Sequence, residues 1–290
     1  MIDLHIHSNV TASTLDSGDS TPSDIVKEAK RIGLSTLAIT DHDSVNGVQE
    51  GMETARALDI KFVPGVEIAC NFENIDIEVV ALGIDHKLMT NFLKKNPEQV
   101  IKNKLDFIQR SREKCEPLGI KIPDIEVNPD DINVDELNKV VHGSYELEAN
   151  RTRCKELTGV YPTSEHEYYI ALFANGKPCR VVKDIRTLEN AIDITQKSGG
   201  KVFLAHPKRA DSVLANLSDD YIEKAIRLGL DDLECIHSKI MPKDSAKLID
   251  YCKNNNLLMT GGSDTHGLSV LEGWNARLCV PEEFISWYFR

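Results

Sequence analysis

The sequence predicts an α/β protein with parallel strands, and three observations carry that expectation. Short apolar strands alternate with amphipathic helices over residues 1–85 and again from Leu188 onward, the pattern of parallel pairing through crossover helices. Residues 88–183 break that rhythm and are richer in helix. The C-terminal ends of six strands each offer a histidine or an acidic residue; in a parallel α/β barrel such ends share one rim, where active sites form. The expected organisation is one domain made of 1–87 and 184–290, with 88–183 as an inserted, mostly helical subdomain.

Ile2–Ile6 reads as the first strand. Residues two apart in a strand point the same way, so His5 and His7 aim two imidazoles at one point while Ile2, Leu4 and Ile6 bury on the other side. Thr21-Pro22-Ser23-Asp24 opens a helix, with Thr21 as cap, Pro22 at the first helical position and Asp24 near the positive end of the dipole. Its apolar face is Ile25, Val26, Ala29 and Ile32, and Gly33 ends it. Leu37–Ile39 is a short buried strand, Val45–Leu58 a helix, and Ile60–Val66 and Ile75–Ile84 two further strands. In the insertion, helices are expected over Glu98–Cys115, Val134–Leu157 and Ser164–Phe173, around an acidic, proline-punctuated stretch at Ile122–Asn133. The rhythm then resumes: helix Leu188–Ser198, strand Lys201–Ala205, helix Asp219–Leu228, strand Asp232–Ile236, helix Lys243–Asn254 and strand Leu257–Thr260.

Composition narrows the function classes. A net charge of −12 counts against a basic face for duplex nucleic acid. It leaves open a small phosphorylated substrate or an oligonucleotide end, because bound metal ions supply local positive charge. No apolar run approaches the roughly 18 residues that span a bilayer, and no secretory signal is read at the N-terminus. Seven cysteines without a CxxC pair point to reduced thiols and a cytoplasmic protein rather than a disulfide framework.

The strand ends carry the chemistry. They offer His5 and His7, then Asp41-His42-Asp43, Glu67, His206, His237, and finally Asp264-Thr265-His266, which repeats the spacing of His5-x-His7. Mixed imidazole and carboxylate donors without thiolates suit Zn²⁺, Mn²⁺ or Fe²⁺ and argue against a structural zinc finger.

This set resembles the polymerase and histidinol phosphatase (PHP) family. The likeness rests on His5-x-His7, Ile39-Thr40-Asp41-His42-Asp43, Pro64-Gly65-Val66-Glu67, Ala205-His206-Pro207 and Gly262-Ser263-Asp264-Thr265-His266, in family order. The resemblance implies a distorted, seven-stranded (β/α) barrel with two to three divalent metal ions (Mn, Zn or Fe) at its C-terminal rim, and hydrolysis of phosphoesters. The insertion is similar to that of a subgroup of metal-dependent phosphoesterases, some acting on nucleotide or oligonucleotide ends. It also implies that His5, His7, Glu67 and Asp264 hold a first metal. Glu67 bridges to a second that His206 also binds, and His42 and His266 hold a third with a side chain from the loop after His7.

Two positions depart from the family pattern. Ser17 stands where relatives have an Asp, so Asp16 or Asp19 replaces it or the third site is incomplete; Asp16 is the preferred candidate. Glu78 stands where relatives have a histidine, and either ligates the second metal, favouring a harder ion, or faces solvent. The Thr-Arg-x-His that relatives carry in the insertion is absent, with Asn150-Arg151-Thr152-Arg153 nearby.

The metals that the resemblance implies would supply a nucleophile from water near neutral pH and positive charge for the phosphoryl oxygens and the leaving alkoxide. Asp41 and Asp43 are expected to orient imidazoles, with Asp41 a candidate for proton transfer. Lys208 and Arg209 are candidate phosphate ligands, Arg209 through a bidentate clasp, and His237 a candidate substrate contact or loop cap. His86, His142 and His166 are expected on the surface. The expected activity is metal-dependent hydrolysis of a phosphomonoester or of a phosphoester at a nucleotide or oligonucleotide end. A histidinol-phosphatase-like enzyme, an amidohydrolase cleaving C–N bonds and a metal-retaining non-catalytic module are the competing readings.

Overall fold

A computed structural model of the chain describes residues 1–10, 18–128, 136–210, 214 and 217–289. The chain divides into two compact units, Met1–Phe72 with Ile77–Lys94 and Arg186–Arg290, and Glu73–Asp76 with Lys95–Ile185.

In the first unit β1 (Ile2–Asp3), β2 (Thr36–Leu37) and β3 (Lys61–Phe62) form a parallel three-stranded sheet. A second sheet has the order β6 (Arg186–Thr187), β4 (Gly65–Phe72), β5 (Ile75–Leu82), β7 (Lys201–Leu204), β8 (Asp232–His237), β9 (Leu258–Gly262). Parallel bridges Ile6↔Thr265 and His42↔Glu67 connect the two sheets. Past β1 the backbone stays paired to the end of β9: Leu4 N–H donates to Gly261 O, Asp264 N–H to His5 O and His7 N–H to Thr265 O, at 3.1, 2.8 and 2.9 Å. Ile2, Leu4 and Ile6 are wholly buried, as their alternation predicts, yet His5 and His7 are buried as well.

Among the helices, α1 (Pro22–Arg31) has the expected Thr21 cap, whose side chain accepts from Asp24 N–H, and buries Ile25, Val26 and Ala29. That face packs with Ile6, Leu37 and Ile39 in one apolar cluster. α2 (Val48–Ala57), α8 (Leu188–Lys197), α9 (Asp219–Arg227) and α10 (Pro242–Asn255) lie where the periodicity puts them. α3 (His86–Leu93), begun by an Asp85 cap, and α11 (Leu268–Leu278) are additions to the predicted set.

Two departures bear on the site. The expected strand Ile60–Val66 is broken at Val63-Pro64, so β3 ends at Phe62 and a long β4 starts at Gly65; Pro64 has no N–H to give to a ladder. Glu67 therefore sits inside β4 rather than at a strand end. The expected parallel pairing also fails at β5, which runs antiparallel to β7 and follows its other neighbour β4 through a reversing turn. Glu73 and Asn74, at φ 48° and 64°, make the two-residue turn that reverses the chain between β4 and β5.

The second unit holds α4 (Pro97–Cys115), α5 (Glu136–Tyr145), α6 (Glu148–Thr158) and α7 (Glu165–Leu172). The single helix expected over Val134–Leu157 is two, separated at Glu146-Leu147. These helices close on their own core, which includes Phe107, Val140, Cys154, Tyr168, Leu172 and Phe173. None of the seven cysteines is in a disulfide among the described residues. Among the described residues no helix is long and apolar enough to cross a membrane.

Candidate metal centre

Glu67 is the hub of the site. Its side chain is wholly buried, and Oε2 lies 3.3 Å from Nε2 of His5, 3.3 Å from Nε2 of His7 and 3.0 Å from Nδ1 of His42. Oε1 lies 3.0 Å from Nε2 of His206. Asp264, just past β9, adds a second buried carboxylate: Oδ1 is 3.1 Å from His7 Nε2 and 3.7 Å from His5 Nε2. His266 Nδ1 stands 3.8 Å from the same oxygen, and the His266 ring stacks on His7 at 4.2 Å between centroids. Glu78, on β5, is part-exposed and reaches His206 Nε2 at 3.3 Å and His42 Nδ1 at 3.5 Å.

These contacts bring together eight of the nine predicted metal-type residues: His5, His7, His42, Glu67, Glu78, His206, Asp264 and His266. Asp16 lies outside the described residues. Four overlapping donor groups have ligand atoms mutually within 4.8 Å among the described residues: His5, His7, Glu67 and Asp264; His7, His42 and His266; His42, Glu67 and Glu78; and His5, Glu234 and His237.

The donors suit a bound cation. His7 Nδ1 and His206 Nδ1 are buried with no hydrogen-bond partner among the described residues, and His5 Nε2, His7 Nε2 and Glu67 Oε2 face one another at close range without forming a hydrogen bond. Leaving such atoms desolvated and unpaired costs a few kcal/mol each, whereas nitrogen and carboxylate oxygen donors converging at this spacing satisfy a divalent transition ion.

Charge states follow from this crowding. Burial pushes the Glu67 carboxyl up, but the charges of His5 and His42 and the His206 hydrogen bond outweigh it and hold Glu67 well below the usual carboxylate range. Against the same burial penalty, the His237 hydrogen bond and the His5 charge hold Asp264 well below it too. For the imidazoles burial acts downward, yet Glu234, Glu67 and Asp264 lift His5 well above its ordinary value. Glu67 and Glu78 likewise lift His206 to about 10. Metal binding must displace these protons.

The backbone is bent to make the site. His206 and Asp264 adopt φ of 31° and 53°, a left-handed region uncommon for non-glycine residues. Gly262 is required by close approach: a Cβ there would lie 2.4 Å from the His5 backbone N. Asp3, buried below the rim, accepts from Ser263 N–H at 2.9 Å, His5 N–H at 3.3 Å and Asn275 Nδ2–H at 2.8 Å, which fastens β1 to the loop carrying Asp264.

The remaining candidates fall in different places. Asp41 accepts from Ser8 N–H at 2.6 Å and Ser8 Oγ–H at 2.7 Å, so it anchors the turn after His7; burial raises its carboxyl. Asp43 Oδ1 meets Arg186 Nη1 at 3.3 Å. Arg209 Nη1 lies 3.9 Å from Asp264 Oδ2, at the edge of the cluster. Lys208 donates to Leu217 O and lies 3.7 Å from Asp219. His237 is buried, with Nε2 3.2 Å from Asp264 Oδ2 and Nδ1 accepting from Lys239 N–H at 3.0 Å. In the second unit, His142 is exposed and paired with Glu165, and Arg153 joins Glu156 on the α6 surface.

Sequence reasoning did not select Glu234. It is wholly buried on β8, with Oε1 3.0 Å from His5 Nδ1 and Oε2 accepting from His206 N–H at 2.7 Å. Its one signal in the sequence is an acid inside the otherwise apolar run Leu233-Glu234-Cys235-Ile236.

The chain is similar to several known proteins. A PHP domain model matches residues 3–174. The 5'-3' exoribonuclease Rnm of Escherichia coli is 28% identical over 269 residues, covering 90% of this chain and 84% of that protein. The 3',5'-nucleoside bisphosphate phosphatase of Chromobacterium violaceum is 25% identical over 281 residues, covering 91% and 87%. The fold also matches the crystal structure of a provisionally assigned metal-dependent phosphoesterase from Bifidobacterium adolescentis, with TM-score 0.60, 23% identity and coverage of 92% and 87%.

Proposed function

This chain belongs to the PHP domain family and is a phosphoric ester hydrolase, and on that premise we propose that it cleaves a phosphoester at the end of a nucleotide or oligonucleotide at a multinuclear metal site. The observation that carries this reading is Glu67, a wholly buried carboxylate whose Oε2 meets nitrogens of His5, His7 and His42 within 3.3 Å. The substrate class is supported by the two relatives, named for an exoribonuclease and a nucleoside bisphosphate phosphatase.

In this reading His5, His7, Glu67 and Asp264 would hold one ion, Glu67 with His206 and Glu78 a second, and His42 with His266 a third. Divalent ions (Mn, Zn or Fe) supply positive charge for the phosphoryl oxygens and a nucleophile from water at neutral pH. The chain's own residues do the rest. Glu67 turns Oε2 to the His5–His7–His42 side and Oε1 to His206, so it would offer a carboxylate oxygen to each side of the site. Arg209 offers a planar, permanently charged donor pair to a phosphoryl group at the cluster edge. The site's own side chains are withdrawn from solvent, with His5, His7, Glu67 and His206 all buried, which lowers the local dielectric and strengthens the charge interactions among them. The first unit is read as a distorted (β/α)7 barrel, supported by the bridges that connect its sheets, and 88–183 as an inserted subdomain.

The test is metal analysis together with a turnover screen on nucleoside bisphosphates, 5'-phosphorylated oligoribonucleotides and simple phosphomonoesters. Two to three equivalents of divalent metal and turnover on a nucleotide substrate are expected. Tight metal with no turnover on any phosphoester would move the chain to a non-catalytic role. Unchanged metal content and activity in His5→Ala would sink the site assignment.

A further inference from the structure

We infer that Glu234 and His237, both on β8, are positioning residues that set the nitrogen and oxygen with which His5 and Asp264 face the centre; this rests on the metal-centre reading above. A carboxylate can only accept, so the 3.0 Å contact between Glu234 Oε1 and His5 Nδ1 means that His5 carries its proton on Nδ1 and turns Nε2 toward Glu67 and Asp264. The second Glu234 oxygen takes the N–H of His206 at 2.7 Å and so holds that residue in its left-handed backbone conformation. One buried carboxylate thereby fixes donors arriving from two different strands.

His237 does the same for the acid. Its Nδ1 accepts from Lys239 N–H at 3.0 Å, which puts the ring proton on Nε2. Nε2–H then donates to Asp264 Oδ2 at 3.2 Å. Asp264 is left with Oδ1 toward His5 and His7. Both ring nitrogens of His237 are thus engaged within the protein, and its ring is buried.

A β-bulge makes this double duty possible. Glu234 pairs with Thr260 and Ile236 with Gly261, so Cys235 is an extra residue on β8. Residues three apart face opposite sides of a regular strand; the extra residue turns Glu234 and His237 to the same side. β8 supplies the outer layer that orients donors from β1, β7 and β9.

The experiment is Zn²⁺ affinity by chelator competition and Zn²⁺ content by mass spectrometry, on wild type, Glu234→Ala, Glu234→Gln, His237→Ala and His237→Gln. Circular dichroism on each variant reports the fold. Loss of such orienting groups weakens metal binding about 10- to 100-fold, and that loss is expected in both alanine variants with the spectrum unchanged. His237→Gln keeps a donor and an acceptor and is expected to recover part of it. Glu234→Gln keeps the acceptor for His5 but sets an amide NH₂ against His206 N–H, so an intermediate loss is expected; it replaces Glu234→Ala as the decisive variant should the latter fail to fold. Long-range ¹H–¹⁵N spectra of the zinc-loaded wild type are expected to show His5 protonated at Nδ1, and a mixture of tautomers in the Glu234 variants. Wild-type affinity in the variants, or zinc bound at His5 Nδ1, overturns the inference while leaving the metal centre standing. A wild-type protein that takes up no Zn²⁺ overturns the metal reading itself.

Discussion

Oε1 of Glu67 lies 3.0 Å from Nε2 of His206, with both side chains withdrawn from solvent. The two residues are 139 positions apart in the chain, and this contact couples β4 to the loop that follows β7. Glu67 also faces His5, His7 and His42, so removing its charge leaves several buried imidazoles short of a counter-charge, with Glu78 the remaining carboxylate at His206 Nε2; breaking a buried pair typically costs about 3–5 kcal/mol. Glu67→Gln is therefore expected to lower the stability of the chelated protein by about 3 kcal/mol or more and to abolish metal retention. Denaturant melts with and without EDTA check this; an unchanged midpoint in the chelated variant would contradict it.

Proton release should accompany metal binding. His206 is lifted to about 10 and His5 well above its ordinary value by neighbouring carboxylates, so at pH 7 the chelated protein carries protons that an incoming ion displaces. Calorimetric titration of Zn²⁺ in buffers of different ionisation enthalpy is expected to show net proton release, and affinity should rise from pH 6 to pH 8. The same shifts set the stability of the chelated form. The His206 contribution is complete below its unfolded value near 6.5 and is lost as pH rises toward about 10. The Glu67 contribution, from a depressed carboxyl, is lost on the acid side instead. A chelated protein equally stable at pH 7 and pH 10 would refute the account.

Arg209→Ala is expected to raise KM for a nucleotide substrate about 10-fold, the loss of one charge-assisted contact worth about 1.5 kcal/mol, with metal content preserved. Arg209→Lys should recover only part, because a point charge cannot reproduce the planar fork. Steady-state kinetics with parallel metal analysis separates this from damage to Asp264, the carboxylate 3.9 Å away.

Gly262→Ala is expected to destabilise the protein by about 3 kcal/mol or more, since the added methyl would meet the His5 backbone at 2.4 Å, an overpacking with no flexible partner to yield. Thermal melts check the stability, and metal content should fall with it because His5 and Asp264 flank the strained contact. A melt within a degree of wild type would be inconsistent with this packing.

Much of the rim was legible from local rules. The two-residue spacing of His5-x-His7 and Asp264-x-His266 requires only strand or strand-end geometry, and the cap at Thr21 and the apolar face of α1 require only helix periodicity. Glu67 was identified by its motif but misplaced at a strand end, because the break at Pro64 and the long β4 depend on pairing with strands that arrive later in the chain. The reversal of β5 was missed for the same reason: Glu73-Asn74 is a weak turn signal until β5 finds β7.

Residue identity alone determined which side chains offer donors, and the near absence of competing thiolate patterns determined their chemical type. Tertiary structure decided which atom of each donor faces the centre. Glu234 and His237 reach the same side only through the bulge at Cys235, and a bulge is a register mismatch between β8 and β9 that neither strand encodes by itself. Orientation of a buried donor is set by hydrogen bonds from elements distant in sequence, so it comes into being only when the strands are assembled.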